Sequence, residues 1–353
     1  MEKSVTLIDA LSPIILFIFV HYLNLLPNIL LSSSDTQKEK SNISKFLSEY
    51  LAGFSTAFLI FARGSWILYF RDEIGVDVNY IIFFGTVIQG VFSSYSVKGC
   101  GSPLGLYHQK FLELAKNKNE KKKISGLEIL REIGLDIIIQ IIGHTHGALF
   151  AIRYLFFYSP LATHSKLFNS SDNNFQTSIS DQLIDKQSVF SHFIPTFYET
   201  FSILCLMITS TLVDQIFQIS KNQAQLKKIQ KLQKNDSKTQ KSLQEKLNSS
   251  QLFSTLFLPF VVAAFVLFSV EATGAQLNPA LAFGMNYRAL MYGSHPIGRF
   301  YEFVRHVLVF WVYPFVGVHI FSWVQVEFLL RNDSSFVEKK RHSKMVQKIK
   351  KSQ

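Results

Sequence analysis

Seven apolar blocks alternate with polar connections along the chain: Leu11–Leu31, Phe46–Phe70, Tyr80–Val97, Ile129–Tyr158, Val189–Phe217, Leu252–Val270 and Val304–Leu330. Each reaches or approaches the roughly 20 residues that a helix needs to cross the hydrocarbon of a bilayer. The pattern predicts an all-α polytopic membrane protein. One further stretch does not fit a span. Thr273–Gly284 follows the sixth block and is apolar, but too short to cross. Pro279 suits the first turn of a helix, where its missing N–H would be unpaired anyway. Asn278, just before it, is a good cap with amide N–H groups left to offer outward. A short apolar half-helix with a polar start, set among membrane spans, predicts a broken helix lining a cavity.

Composition agrees with a membrane protein. Hydrophobic residues make up 48% and aromatic residues 14%, with 34 phenylalanines. That load, held in blocks, argues against a nucleic-acid binder. The two cysteines, Cys100 and Cys205, lie in or beside apolar stretches and suggest neither a disulfide framework nor a zinc site.

The net charge of +11 resides in the connections and orients the chain. Tyr107–Arg131 carries Lys110, Lys116, Lys118, Lys121, Lys122, Lys123 and Arg131. The Ile219–Gln251 connection and the tail after Leu330 are as basic, whereas Arg71–Asn79 and Ser159–Phe193 are nearly free of Lys and Arg. The three basic segments are therefore expected in the cytosol. The linker Ser32–Lys45 must then be cytosolic too. Lys3 before an apolar core also resembles a signal peptide, but no small-x-small cleavage site follows. Cleavage would invert every loop, so the first block is expected to be a retained span with Met1 lumenal or extracellular. Asn169-Ser170-Ser171 is a glycosylation sequon on the non-cytosolic side. The expected organisation is an extra N-terminal span and linker at 1–45, a channel domain at 46–330 and a basic cytosolic tail at 331–353. The channel domain divides into repeats at 46–158 and 189–330, with a basic loop at 218–251 that contacts water or lipid headgroups.

The two repeats share an order of features. Glu49 lies in the first span of one and Glu199 in the first span of the other. A carboxylate at membrane depth is costly and is expected to face protein, accepting backbone N–H bonds from the loops rather than carrying protons. Each second span leads into a loop with a proline-initiated segment, Ser102-Pro103-Leu104 and Asn278-Pro279-Ala280. Each third span has a central glycine, Gly143 after Gln140 and Gly317 after Pro314. Ser102 to Gly143 is 41 residues and Asn278 to Gly317 is 39. Two halves of three spans must lie inverted in the membrane, which brings their broken helices together at the midplane.

This pattern resembles the aquaporin (major intrinsic protein) superfamily: Glu on the first and fourth core helices, Asn-Pro-Ala loops after the second and fifth, a third-helix glutamine at Gln140, and Trp311–Gly317 as the last-helix motif. The first signature departs from the family, being Ser102-Pro103-Leu104. Leu281 stands where the selectivity arginine would follow the second signature, and no aspartate follows as in the common glycerol-conducting branch. With an extra N-terminal span, these departures resemble the unorthodox or superaquaporin branch, the aquaporin-eleven type. The resemblance implies passage of water, glycerol and hydrogen peroxide, an intracellular membrane, a homotetramer, and neither cofactor nor enzymatic step.

In such a pore two helix N-termini each project roughly half a unit of positive charge toward the centre. Cations are repelled, while a water oxygen accepts hydrogen bonds from the caps. Asn278 would supply an amide donor and Ser102 a single rotatable hydroxyl, although both residues also suit a purely capping role. Leu281 would form an apolar constriction or simply pack. His144 and His146, two apart, point to different faces of a helix and make a poor metal pair, so both are expected to pack or hydrogen-bond. The rival reading is a structural or adhesive membrane protein of the endoplasmic reticulum that barely conducts. Lys350 and Lys351, third and fourth from the end, resemble a dilysine retrieval address of the endoplasmic reticulum, within a segment already rich in lysine.

Overall fold

A computed structural model of the chain describes residues 18–20, 22–23, 43–60, 75–96, 99–117, 125–158, 194–213, 256–270, 277–284 and 303–327. Asn169, Lys350 and Lys351, the basic loop at 218–251 and the tail at 331–353 lie outside these residues. The described residues form helices and contain no strand, which is the all-α polytopic fold expected. Residues 18–20 and 22–23 of the first apolar block are helical. The elements after it are α1 (43–60), α2 (Val78–Ser96), α3 (Pro103–Asn117), α4 (Gly126–Tyr158), α5 (Ile194–Val213), α6 (Leu256–Val270), α7 (279–284) and α8 (Phe303–Gln325). Within α4 the stretch Gly126–Ala151, together with α5 and α8, is long and apolar enough to cross a membrane; α6 and the Val78–Ser93 part of α2 are shorter apolar helices.

Capping, rather than hydropathy, sets the observed ends. α2 begins two residues before the apolar block because the Asp77 carboxylate accepts the Asn79 N–H at 2.7 Å and its carbonyl accepts the Ile81 N–H at 3.4 Å. α3 and α7 start alike. The Ser102 carbonyl accepts the Leu106 N–H at 3.0 Å, and the Asn278 carbonyl accepts the Ala282 N–H at 2.9 Å, with proline at the first helical position each time.

α1 and α4 run parallel in close contact. Lys45 pairs with the buried Asp136 at 2.6 Å at one end. Further along, a Cβ on Gly143 would strike the Tyr50 carbonyl oxygen, and one on Gly147 would strike that of Phe54. From the other side, a Cβ on Gly53 would lie 2.9 Å from the Gln140 carbonyl. Small residues four apart let two backbones approach within a bilayer, where packing rather than water expulsion drives helix association. α8 meets α5 in the corresponding way but less tightly: a Cβ on Gly317 would lie 3.0 Å from Thr200 Cγ2.

α8 is not a uniform α-helix. Val307–Val312 forms a π turn, and Tyr313 donates its N–H to the Leu308 carbonyl five residues back. Pro314 follows at once, with no N–H for an α-helical bond and a ring that would crowd the preceding turn. The widened turn accommodates both.

Each half-helix rests on the last span of the opposite half. α3 docks on α8 through Tyr107 Oη and His319 Nδ1 at 2.7 Å, His108 Nδ1 and Ser322 Oγ at 2.8 Å, and the edge-on rings of Phe111 and His319. α7 lies against α4, where a Cβ on Gly284 would stand 2.8 Å from the carbonyl carbon of His144. This exchange welds the two halves into one body. Its two apolar cores sit around Leu104, Phe111, Ile129 and Val318, and around Ala57, Phe58, Ala148 and Leu281.

Candidate functional site

The two half-helices meet end to end at their N-termini. Gly101 and Leu277, the residues before the two caps, both have left-handed backbones, with φ of 63° and 49°. Glycine adopts this freely, whereas for leucine it costs roughly 1–2 kcal/mol. Each turn is held by a buried carboxylate from the first span of its own half. Glu49 accepts the N–H groups of Cys100 at 2.9 Å and Gly101 at 3.2 Å. Glu199, fully buried, accepts the N–H of Leu277. Gln140 adds a third donor to Glu49, its Nε2 lying 2.6 Å from Oε2. In sequence, anchor and turn are 52 residues apart in the first half and 78 in the second, a difference absorbed by the long basic connection.

Asn278 is a complete N-cap. Its Oδ1 accepts the N–H groups of Ala280 at 3.0 Å and Leu281 at 3.4 Å. Its Nδ2 reaches into the other half and donates to the Gly101 carbonyl at 2.8 Å. The same amide stands 3.4 Å from Nε2 of His144. Among the described residues the Ser102 side chain makes no hydrogen bond, whereas that of Asn278 makes several.

Of the two signature boxes, only the caps Ser102 and Asn278 retain partial exposure. Pro103, Leu104, Pro279, Ala280 and Leu281 are buried in packing. Leu281 sits in one apolar cluster with Ala57, Phe58 and Leu59 of α1, Ala148 and Ala151 of α4 and Val20 of the first apolar block. His144 is buried and His146 exposed, the latter 3.1 Å from Tyr50 Oη. Among the described residues no group of three His, Cys, Asp or Glu is placed to hold a metal ion.

Sequence reasoning singled out Gly143 but passed over Gly53 and Gly147, which complete the same crossing, and, while expecting His144 to pack or hydrogen-bond, did not name the Asn278 amide as the donor to it. The Gly143-x-x-x-Gly147 spacing was the available signal for the crossing. For the histidine, nothing in the local pattern names a partner 134 residues away.

Two short helices thus meet at their N-termini, anchored by the buried carboxylates of Glu49 and Glu199 and resting on α8 and α4. Residues 238–325, which take in α6, α7 and α8, match the family model described as Major intrinsic protein, the superfamily of the aquaporins. Members of that family are membrane channels for water or small solutes rather than enzymes. No curated protein and no solved structure matches the chain.

Proposed function

We propose that the chain is a passive channel for water and small neutral solutes, glycerol and hydrogen peroxide among them, that belongs to the unorthodox branch of its family. The meeting of the α3 and α7 N-termini carries this reading, because their summed positive ends stand where a permeating species must pass. Ser102 and Asn278 supply the polar lining, as the two box residues that keep exposure. Glu49, Gln140 and Glu199 serve as the frame that holds the two turns, Gly143 and Gly317 set the helix crossings, and Pro314 sets the widened turn of α8. The burial of Leu281 supports a packing role over a lumenal constriction. Cation exclusion then rests on helix dipoles and pore width, with leucine rather than arginine at position 281.

The channel domain spans 46–330, assembles as a homotetramer in membrane lipid, and resides in the endoplasmic reticulum or another intracellular membrane. A second reading, a poorly conducting structural protein of that membrane, draws support from the direct 2.8 Å bond between the two loops. Purified chain in proteoliposomes separates the two. Glycerol-driven swelling and peroxide entry faster than in empty vesicles are expected for the channel, and rates equal to empty vesicles for both solutes would favour the structural reading. For the address, Lys350→Ser combined with Lys351→Ser is expected to move a reporter-tagged chain to the cell surface; an unchanged distribution would contradict it.

A further inference from the structure

We infer that His144 is a positioning residue for the pore, holding the Asn278 amide by accepting one of its hydrogens; this rests on the channel reading of the half-helix site. The imidazole is fully buried, in a slot that the bare Gly53 leaves open for it. A Cβ on Gly53 of α1 would lie 2.7 Å from His144 Nδ1, and one on Gly284 of α7 would lie 3.0 Å from the His144 carbonyl oxygen. Gly53 makes room for the ring itself, and Gly284 lets the backbone of α7 come up against the main chain of His144.

The hydrogen bonds fix the ring chemically. His144 Nδ1 is 2.8 Å from the Gln140 carbonyl, which only accepts, so Nδ1 carries the hydrogen. In the neutral ring Nε2 is then a lone-pair acceptor, and it faces Asn278 Nδ2 at 3.4 Å. Following the bonds outward returns to the start. His144 donates to the Gln140 carbonyl, and the Gln140 side chain donates to Glu49. Glu49 accepts the Gly101 N–H, and the Gly101 carbonyl accepts the Asn278 amide. Asn278 closes the ring on His144. Every donor in this circuit meets an acceptor, and the circuit joins the turn of the first half to the cap of the second. His144 is the link that makes it a ring, so the orientation of the Asn278 amide is set from both halves. The corresponding residue after the other mid-span glycine is Val318, also fully buried, which has no polar atom on its side chain. The device is therefore present on one side of the pseudo-symmetric pore only.

Water permeability of proteoliposomes tests the link with two substitutions and a second background. His144→Leu fills the slot without an acceptor, whereas His144→Gln retains a side-chain carbonyl. The leucine variant is expected to lose about tenfold in permeability, the equivalent of roughly one hydrogen bond, while the glutamine variant stays within about twofold of the native chain. In an Asn278→Ser background, which has no amide to hold, His144→Leu is expected to have no further effect. Equal losses in both His144 variants, or an undiminished loss in the serine background, would overturn the proposal and leave the channel reading intact. A native chain no more permeable than empty vesicles would instead sink the channel reading. The link is then decided by nitrogen-15 spectra of the full chain with labelled histidine, the His144 signal being the one missing from His144→Gln. A ring protonated at Nδ1, whose Nε2 resonance moves on Asn278→Ser, supports the link; a ring protonated at Nε2, or an unmoved resonance, overturns it.

Discussion

Glu49→Gln is expected to lower stability by about 3 kcal/mol, the largest loss for any single change in the polar frame. Three donors converge on this carboxylate: the Cys100 and Gly101 N–H groups and the Gln140 amide. Hydrogen bonds to a charged acceptor contribute roughly 1.5–3 kcal/mol each, about twice the neutral value. An amide at 49 keeps one acceptor oxygen and turns an NH₂ group toward donors that it cannot satisfy. The residue is only 5% exposed, so water cannot replace what is lost. The Gly101 turn loosens as a result, and with it the start of α3. Thermal melting of the detergent-solubilised protein checks this. A drop of about 5 °C or more is expected, and a change within about 1 °C would mean that Glu49 does not hold the turn.

Asn278→Asp is expected to leave the fold standing and to breach cation exclusion. Aspartate caps a helix as well as asparagine, so the Ala280 and Leu281 N–H groups keep their acceptor. The rest of the site changes sign. A carboxylate carries a full negative charge into a place where two helix ends contribute about half a positive charge each, cancelling the barrier to cations. It also faces the Gly101 carbonyl and His144 Nε2 with oxygen where the native chain presents N–H. Planar-bilayer currents or dye-reported sodium entry should rise about tenfold or more above the native chain, the cost of a lost barrier of roughly 1.4 kcal/mol. Cation exclusion equal to the native protein, with normal folding, would remove Asn278 from the path.

The all-helical, apolar character of the fold and the proline-initiated starts of α3 and α7 were legible because hydropathy and proline position are local properties of the sequence. The same holds for the likeness to the family matched over 238–325, which rests on the box at Asn278-Pro279-Ala280. What was not legible is which surfaces meet. Hydropathy marks a helix as greasy all round and does not say that α3 leans on α8, a contact carried by Tyr107 and His319 across 212 residues. The π turn at Val307–Val312 follows from Pro314, but only once the helix is known to continue through the proline. Leu281 was identifiable as a missing arginine, yet its place in the core around Phe58 and Ala148 depends on how α7 seats against α4. Leu277 carries no signal of its left-handed backbone, because leucine is not the residue that this conformation favours.

The central claim is that the two facing half-helices enclose a path for neutral solutes. Stopped-flow shrinkage of proteoliposomes under a hyperosmotic gradient of an impermeant sugar tests it most directly. The account predicts shrinkage faster than in empty vesicles of the same lipid, with no accompanying cation current. Shrinkage at the rate of empty vesicles, in membranes shown to contain folded protein, would contradict it.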